Sequence, residues 1–229
     1  CSFKNFLNHT LDMESHSFFD LKNKTAIVTG GGNGIGKGAC ETMAAFGANI
    51  VVSDLKLEDA EKVRDEIIAN GGKAIALACN VTKDEDLQNV VKAALDEFGS
   101  IEILVNNAGI TRPEPLEQIT EQSWDEVLAV NLKSMFLVTQ AVVPGMREAG
   151  WGRIINLSSV AAQTGGVVGP HYAASKAGQV GMMRSLAREV AKRKITVNCV
   201  SPGFVDTDLL ADLPTAEDPI EIDLDVGLG

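Results

Sequence analysis

Short, near-continuous apolar runs alternate along this chain with longer stretches in which apolar residues recur every three or four positions. The runs at 25–29, 49–53, 73–78, 101–105, 153–157 and 195–200 are rich in Val, Ile and Leu and show little polar alternation. That is the pattern of strands buried on both faces, as in a parallel sheet. The intervening stretches read as helices. At 57–72, "LEDAEKVRDEIIANGG" places Ala60, Val63, Ile67 and Ile68 on one face and stops at Gly71 and Gly72. Two longer helical segments, at 117–146 and 172–193, carry small and apolar residues on one side. Repeated strand–helix–strand units require right-handed crossovers. The expected fold is an α/β, Rossmann-like doubly wound parallel sheet in a single domain at 21–229, with 1–20 as an N-terminal tail.

Composition narrows the partners. Twenty Lys and Arg against 31 Asp and Glu give a formal net charge of -11, which repels nucleic acid and anionic membranes. No uninterrupted apolar stretch approaches the roughly 20 residues of a membrane span. The four cysteines form no C-x-x-C pair, and Cys79 and Cys199 sit in apolar runs, as buried free thiols do. A reducing, cytoplasmic compartment is expected. The first residues lack the basic start and apolar middle of a secretory leader, and Met13 is a candidate natural start. No His/Cys/Asp/Glu cluster has metal-ligand spacing, so no metal is expected.

The first strand runs into "TGGGNGIGKGAC", which puts Gly30, Asn33, Gly34, Ile35 and Gly36 in the turn and at the opening of a helix. Glycine permits close backbone approach, and free N–H groups with the helix dipole attract a pyrophosphate. The spacing is G-x-x-x-G-x-G rather than G-x-G-x-x-G, and such a loop alone is also compatible with a tight structural turn. Asp54, about twenty positions on at the end of the second strand, is placed to accept hydrogen bonds from an adenosine ribose or to cap the next helix. A carboxylate there repels a 2′-phosphate, which favours NAD(H). Lys56 nearby keeps NADP(H) as the alternative.

Tyr172, the single tyrosine of the chain, precedes Lys176 by one helical turn, so the two project from one face. Carbonyl reduction leaves an alkoxide that needs a proton, and a phenol can supply it. A neighbouring ammonium should lower the phenol from its reference pKa of about 10.

The ordered set T-G-x-x-x-G-x-G, "NNAG" (106–109), "VNLKS" around Asn131, "NLSS" ending at Ser159, Tyr-x-x-x-Lys and "SPG" (201–203) resembles the short-chain dehydrogenase/reductase family. The resemblance implies an NAD(P)(H)-dependent oxidoreductase interconverting a secondary alcohol and a ketone. Within it, 3-oxoacyl thioester reductases and bacterial hydroxysteroid dehydrogenases are the nearest types, with polyol dehydrogenases and a non-catalytic dinucleotide-binding protein as alternatives. It implies catalytic roles for Asn131, Ser159, Tyr172 and Lys176: Ser159 holds the substrate oxygen, Tyr172 moves the proton, and Asn131 anchors a water linking Lys176 to solvent. Asn107, Ala108 and Gly109 would line the adenine ribose side, Asn80 and Val81 the adenine, and Pro202, Gly203, Val205 and Thr207 the nicotinamide, with Tyr172 and Lys176 also touching cofactor. Asn80 stands where the family often has aspartate. The family's four-helix interface implies a homodimer or homotetramer built on the two long helices.

The short segment after Gly203 implies a lid that is short or missing. Ser158 is expected to bond backbone, and Gln163, Val167, Val168 and His171 to border the substrate pocket. Histidine as a hydrolase base is disfavoured, because Ser159 is not in G-x-S-x-G. Lys133, Arg184, Arg188, Lys192 and Arg193 are candidate docking residues for an acidic carrier protein, or an ordinary solvated face.

Overall fold

The computed structural model describes residues 20–166, 168–203 and 205. Thr207, Val167, the tail before residue 20 and the lid segment lie outside the described residues. Six strands form one sheet: β1 (Thr25–Thr29), β2 (Asn49–Asp54), β3 (Lys73–Ala78), β4 (Ile103–Asn106), β5 (Gly152–Leu157) and β6 (Ile195–Val200). Every neighbouring pair is parallel, in the order β3-β2-β1-β4-β5-β6. The order reverses direction at β1/β4, and the crevice at the carboxyl ends of the strands there is where such sheets bind ligands.

Helices cover both faces. On one, α1 (Gly34–Ala45) and α2 (Leu57–Ala69) pack over Ala26, Val28, Ile50, Val52 and Val105. On the other, α3 (Asp84–Phe98), α5 (Ser134–Ala149) and α7 (Pro170–Val190), the last preceded by the one-turn α6 (Ala161–Thr164), pack over Ile27, Val51, Leu104, Ile154 and Val197. Adjacent strand residues therefore serve opposite cores, which is why the strands read as continuously apolar. Burying a side chain such as fully enclosed Leu104 contributes about 1.5–3 kcal/mol.

Three expectations change in detail. Ile68 is 50% exposed while Ala60, Val63 and Ile67 are buried; at about 100° per residue it stands roughly 100° from the centre of that stripe. The fourth strand begins at Ile103 rather than 101, because the Glu102 carboxylate accepts from the Thr25 amide at 2.8 Å in place of a strand carbonyl. Cys79 is buried as expected, whereas Cys199 is half-buried.

The 117–146 segment is not one helix. A 3₁₀ turn (Leu116–Gln118) precedes α4 (Glu121–Leu128), whose cap is the Thr120 hydroxyl accepting from Ser123 N at 3.0 Å. A π-turn (Ala129–Lys133) then joins α4 to α5. Taken together, Glu121–Ala149 is long and apolar enough by composition to cross a membrane, but Val127, Met135, Val138, Val142 and Met146 are buried in this fold.

Candidate active site

The register aligns Thr29, Ser53, Asn106 and Asn156 across the carboxyl ends of four strands. There the polar side chains tie strand to strand. The Asn106 amide donates to Asn156 Oδ1 at 2.9 Å, and Asn107 Nδ2 donates to the carbonyls of Thr29 and Gly30 at 3.1 and 2.8 Å. Thr29 Oγ1 accepts from the amides of Asn107 and Ala108, both at 3.1 Å. The loops after β1 and β4 are thus one hydrogen-bonded unit.

They wall a cleft of about 350 Å³ lined by Gly30, Asn33, Gly34, Ile35, Asp54, Asn80, Val81, Asn107, Ala108 and Gly109. Those ten were all expected from the sequence. Leu55, Cys79, Ile110 and Val130 also line it and were not; each is within one position of a residue singled out by motif, and that adjacency was the available signal. Gly36 does not line the cleft. A β-carbon on it would sit 2.0 Å from the Gly30 carbonyl oxygen, so it serves the close packing of α1 beneath the loop.

Asp54 closes the far end. Its Oδ2 accepts from Gly32 N at 3.0 Å and its Oδ1 from Lys56 N at 3.2 Å, so it holds the glycine loop and the entry to α2 together. Asp59 also lies against Gly32, where a β-carbon would meet Asp59 Cβ at 2.9 Å and Asp54 Cγ at 3.0 Å. Asn80 keeps its side-chain oxygen on Thr82, accepting from the amide and the hydroxyl at 3.0 and 2.7 Å.

At the other end, α7 presents Tyr172, Ser175, Lys176 and Gln179 as a buried stripe. Ser159, half-buried just beyond β5, accepts from Ala161 N at 3.1 Å, and its hydroxyl hydrogen-bonds the Tyr172 phenol. Ser158 donates to the Lys176 carbonyl at 3.0 Å, the backbone support expected of it. Pro202 is drawn beside Ser159 through the Val160 amide, which donates to its carbonyl at 3.1 Å; Gly203 and Val205 are exposed beyond it.

Asn131 is 1% exposed and fully engaged, donating to Ile110 O at 3.0 Å and Ser175 Oγ at 3.1 Å while accepting from Ile110 N at 2.8 Å. A β-carbon on Gly109 would meet Asn131 Oδ1 at 3.3 Å and Lys176 Nζ at 3.5 Å, so amide and amine both lie against this glycine.

The electrostatics differ from the expectation. Burial pushes the Tyr172 phenol above its ordinary value, outweighing the Ser159 hydrogen bond, and Lys176 does not offset it. The Lys176 ammonium donates to Leu157 O at 2.6 Å and sits 5.6 Å from the tyrosine ring centroid. Burial brings Lys176 down to about 8, so it is the group that gives up a proton near neutral pH.

His171 does not border a substrate pocket. It is 0% exposed, with Nε2 3.6 Å from the Glu114 carboxylate, which in turn accepts from the Ser123 hydroxyl at 2.6 Å. Val168 is likewise buried, and Gln163 is exposed.

The cleft's donor set suits a dinucleotide: amide groups at the start of α1, an acidic residue at the end of β2 and small residues where a flat ring would lie. Relatives agree. The sequence model for the short chain dehydrogenase family matches residues 24–218. The 3-oxoacyl-[acyl-carrier-protein] reductase FabG of Vibrio cholerae is 44% identical over 190 residues, covering 83% of this chain and 77% of that protein. The FabG of Pseudomonas aeruginosa is 40% identical over 86% of this chain and 80% of its own length. The corresponding reductase of Synechocystis is 42% identical over 84% of this chain and 78% of its own. Nucleotide cleft, tyrosine–lysine–serine constellation and relatives coincide, and the chain belongs to the short chain dehydrogenase family, as an NAD(P)-dependent oxidoreductase acting on an alcohol/ketone pair.

Proposed function

We propose that the chain reduces the ketone of a 3-oxoacyl thioester, with NADH preferred, in the cytoplasm as a homo-oligomer of 21–229 domains. The observation that carries the chemistry is the placement of Tyr172, Ser159, Lys176 and Asn131 around one end of the nucleotide cleft. In this reading Ser159 holds the carbonyl oxygen and Tyr172 donates its phenolic proton to that oxygen as negative charge develops. Lys176, brought down to about 8 by burial, restores the phenol's proton. Asn131 fixes the lysine's surroundings. A dinucleotide held along Gly30, Asn33, Gly34, Ile35, Asn80, Val81 and Asn107 to Gly109, with its nicotinamide reached by Pro202, Gly203, Val205 and Thr207, would supply the hydride.

NADH is favoured by the two carboxylates, Asp54 and Asp59, that flank Gly32 beneath the ribose end. Asp59 is held below its usual range by Lys62 first and by Lys56 more weakly, so the nearest cations already face a carboxylate. A 2′-phosphate would enter this acidic end at a Coulombic cost. The thioester substrate is supported by relatives such as the 3-oxoacyl-[acyl-carrier-protein] reductase of Vibrio cholerae. Hydroxysteroid and polyol substrates are the alternatives.

Oxidation of NADH and of NADPH is followed at 340 nm with acetoacetyl-CoA, a steroid ketone, a sugar ketone and a small ketone. The expected result is fastest turnover with acetoacetyl-CoA and NADH, and loss by at least about 10³-fold in Tyr172→Phe. Turnover of steroid or sugar alone would move the substrate class. NADH binding without turnover of any ketone would leave a dinucleotide-binding protein.

A further inference from the structure

Among the polar residues on the buried stripe of α7, Gln179 has no place in the chemistry above. It is 2% exposed, one helical turn beyond Lys176. Its Nε2 donates to the main-chain carbonyl of Asn131 at 2.5 Å, and its Oε1 has no hydrogen-bond partner among the described residues. The assignment of oxygen and nitrogen follows from chemistry: turned over, the carboxamide would face its oxygen to the Asn131 oxygen, two acceptors together. An unpartnered buried oxygen is a cost that leucine or methionine, of similar size, would not incur. The carboxamide therefore does something that packing does not ask for.

What it grips is a specific carbonyl. Asn131 lies at the middle of the π-turn Ala129–Lys133, where the helical ladder changes step and main-chain groups lose their ordinary partners. Ser175 takes the Asn131 side chain and Gln179 its carbonyl, while Ser175 Oγ is itself tied to Tyr172 O at 2.7 Å. The two α7 residues thus clamp Asn131 from side chain and backbone, and Asn131 Oδ1 and Lys176 Nζ both lie against Gly109.

We propose that Gln179 is a positioning residue for proton delivery: by holding the Asn131 carbonyl in the π-turn, it fixes the polar wall against which Lys176 passes its proton to Tyr172. It touches neither substrate nor cofactor and acts through Asn131. The inference rests on the catalytic reading of Tyr172 and Lys176.

The test uses the full chain, NADH and the fastest ketone of the panel above. Gln179→Met keeps length and volume and removes the donor. Expected are a kcat about tenfold lower, an unchanged dissociation constant for NADH by fluorescence, a Tm equal to or above that of the parent, and a displaced basic limb in the kcat–pH profile. Ser175→Ala, which releases the other side of the clamp, should displace the same limb, and the double variant should lose less than the product of the two effects because both act through Asn131. If kcat and its pH profile are unchanged in Gln179→Met, or in Ser175→Ala should the first variant not fold, Gln179 is only a packing residue and the proposal is wrong. A Tyr172→Phe that still turns over would overturn the catalytic reading and this inference with it. A dead Tyr172→Phe beside an unaffected Gln179→Met overturns this inference alone.

Discussion

At the scale of single residues, Lys176 carries the clearest thermodynamic signature. Its folded value of about 8 lies below the ordinary 10.5 because burial penalises the ammonium. Between those values the unfolded chain binds the proton that the folded chain has released, so this group's contribution to stability rises with pH across that window and is a fixed penalty below it. Lys176→Met removes the penalty. Chemical denaturation should show the variant more stable than the parent at pH 7, by up to about 3 kcal/mol, with the gap closing as pH rises through 8 toward 10.5. A gap that stays constant or widens would mean that Lys176 titrates normally. Tyr172, Lys176, Ser159 and Asn131 were legible in the sequence because their order and spacing are unusual as a set. Ser175 and Gln179 were not, nor were the bonds Thr29 makes to the loop after β4. Ser175 and Gln179 are common polar residues in an ordinary helix pattern, and only the fold shows that they meet the side chain and the carbonyl of Asn131, far along the chain. The sign of the tyrosine's shift was also beyond the sequence, since spacing gives proximity to Lys176 but not the depth of burial.

Elements show the same division between pattern and contact. The strands were readable to within two residues; the inner four carry a continuous apolar run because both faces are covered, whereas the edge strands β3 and β6 have exposed positions among the described residues despite the same composition. The break of the long helix into α4, π-turn and α5 was not, because apolar periodicity continues through it and a π-turn changes hydrogen-bond step without changing composition. Helix α1 offers a paired test of why its glycines differ. Gly36→Ala drives a methyl to within 2.0 Å of the Gly30 oxygen and 2.5 Å of Asn107 Nδ2. That should cost about 3 kcal/mol or more, or abolish folding, since rigid backbone has to move. Gly38→Ala meets nothing within 4 Å in the same helix and should stabilise by about 0.5–1 kcal/mol. Thermal unfolding of both, read by circular dichroism, separates a glycine needed for contact from one that is merely tolerated; similar shifts in the two would contradict this packing of the loop on α1.

For the whole molecule, α5 and α7 leave an outward groove of about 410 Å³ with Phe136, Val143, Pro144, Met182 and Leu186 on its walls. Phe136 is 45% exposed, and Arg147 pairs with Glu189 across the groove. A second copy set on this face would bury that apolar surface, the basis of the proposed oligomer. Light scattering at micromolar concentration should give a dimer or tetramer, and Phe136→Glu should shift it toward monomer without changing the circular dichroism spectrum. A monomeric parent would remove the proposal.

The strand order has a further consequence, for the chain as it is being made. Strand β1 pairs on one side with β2, which follows it closely, but on the other with β4, which begins at Ile103. The strand that ends centrally in the sheet is therefore an open edge for as long as the ribosome takes to emit β2, β3 and the helices between. During that interval Ala26, Ile27 and Val28, all destined for complete burial, have backbone groups unpaired on one side. That exposure favours wrong pairing with other nascent chains, and it ends only when the segment carrying Asn106 and Asn107 arrives to bond β1 and its loop. The residues that shape the nucleotide cleft are also those whose arrival closes this vulnerable edge.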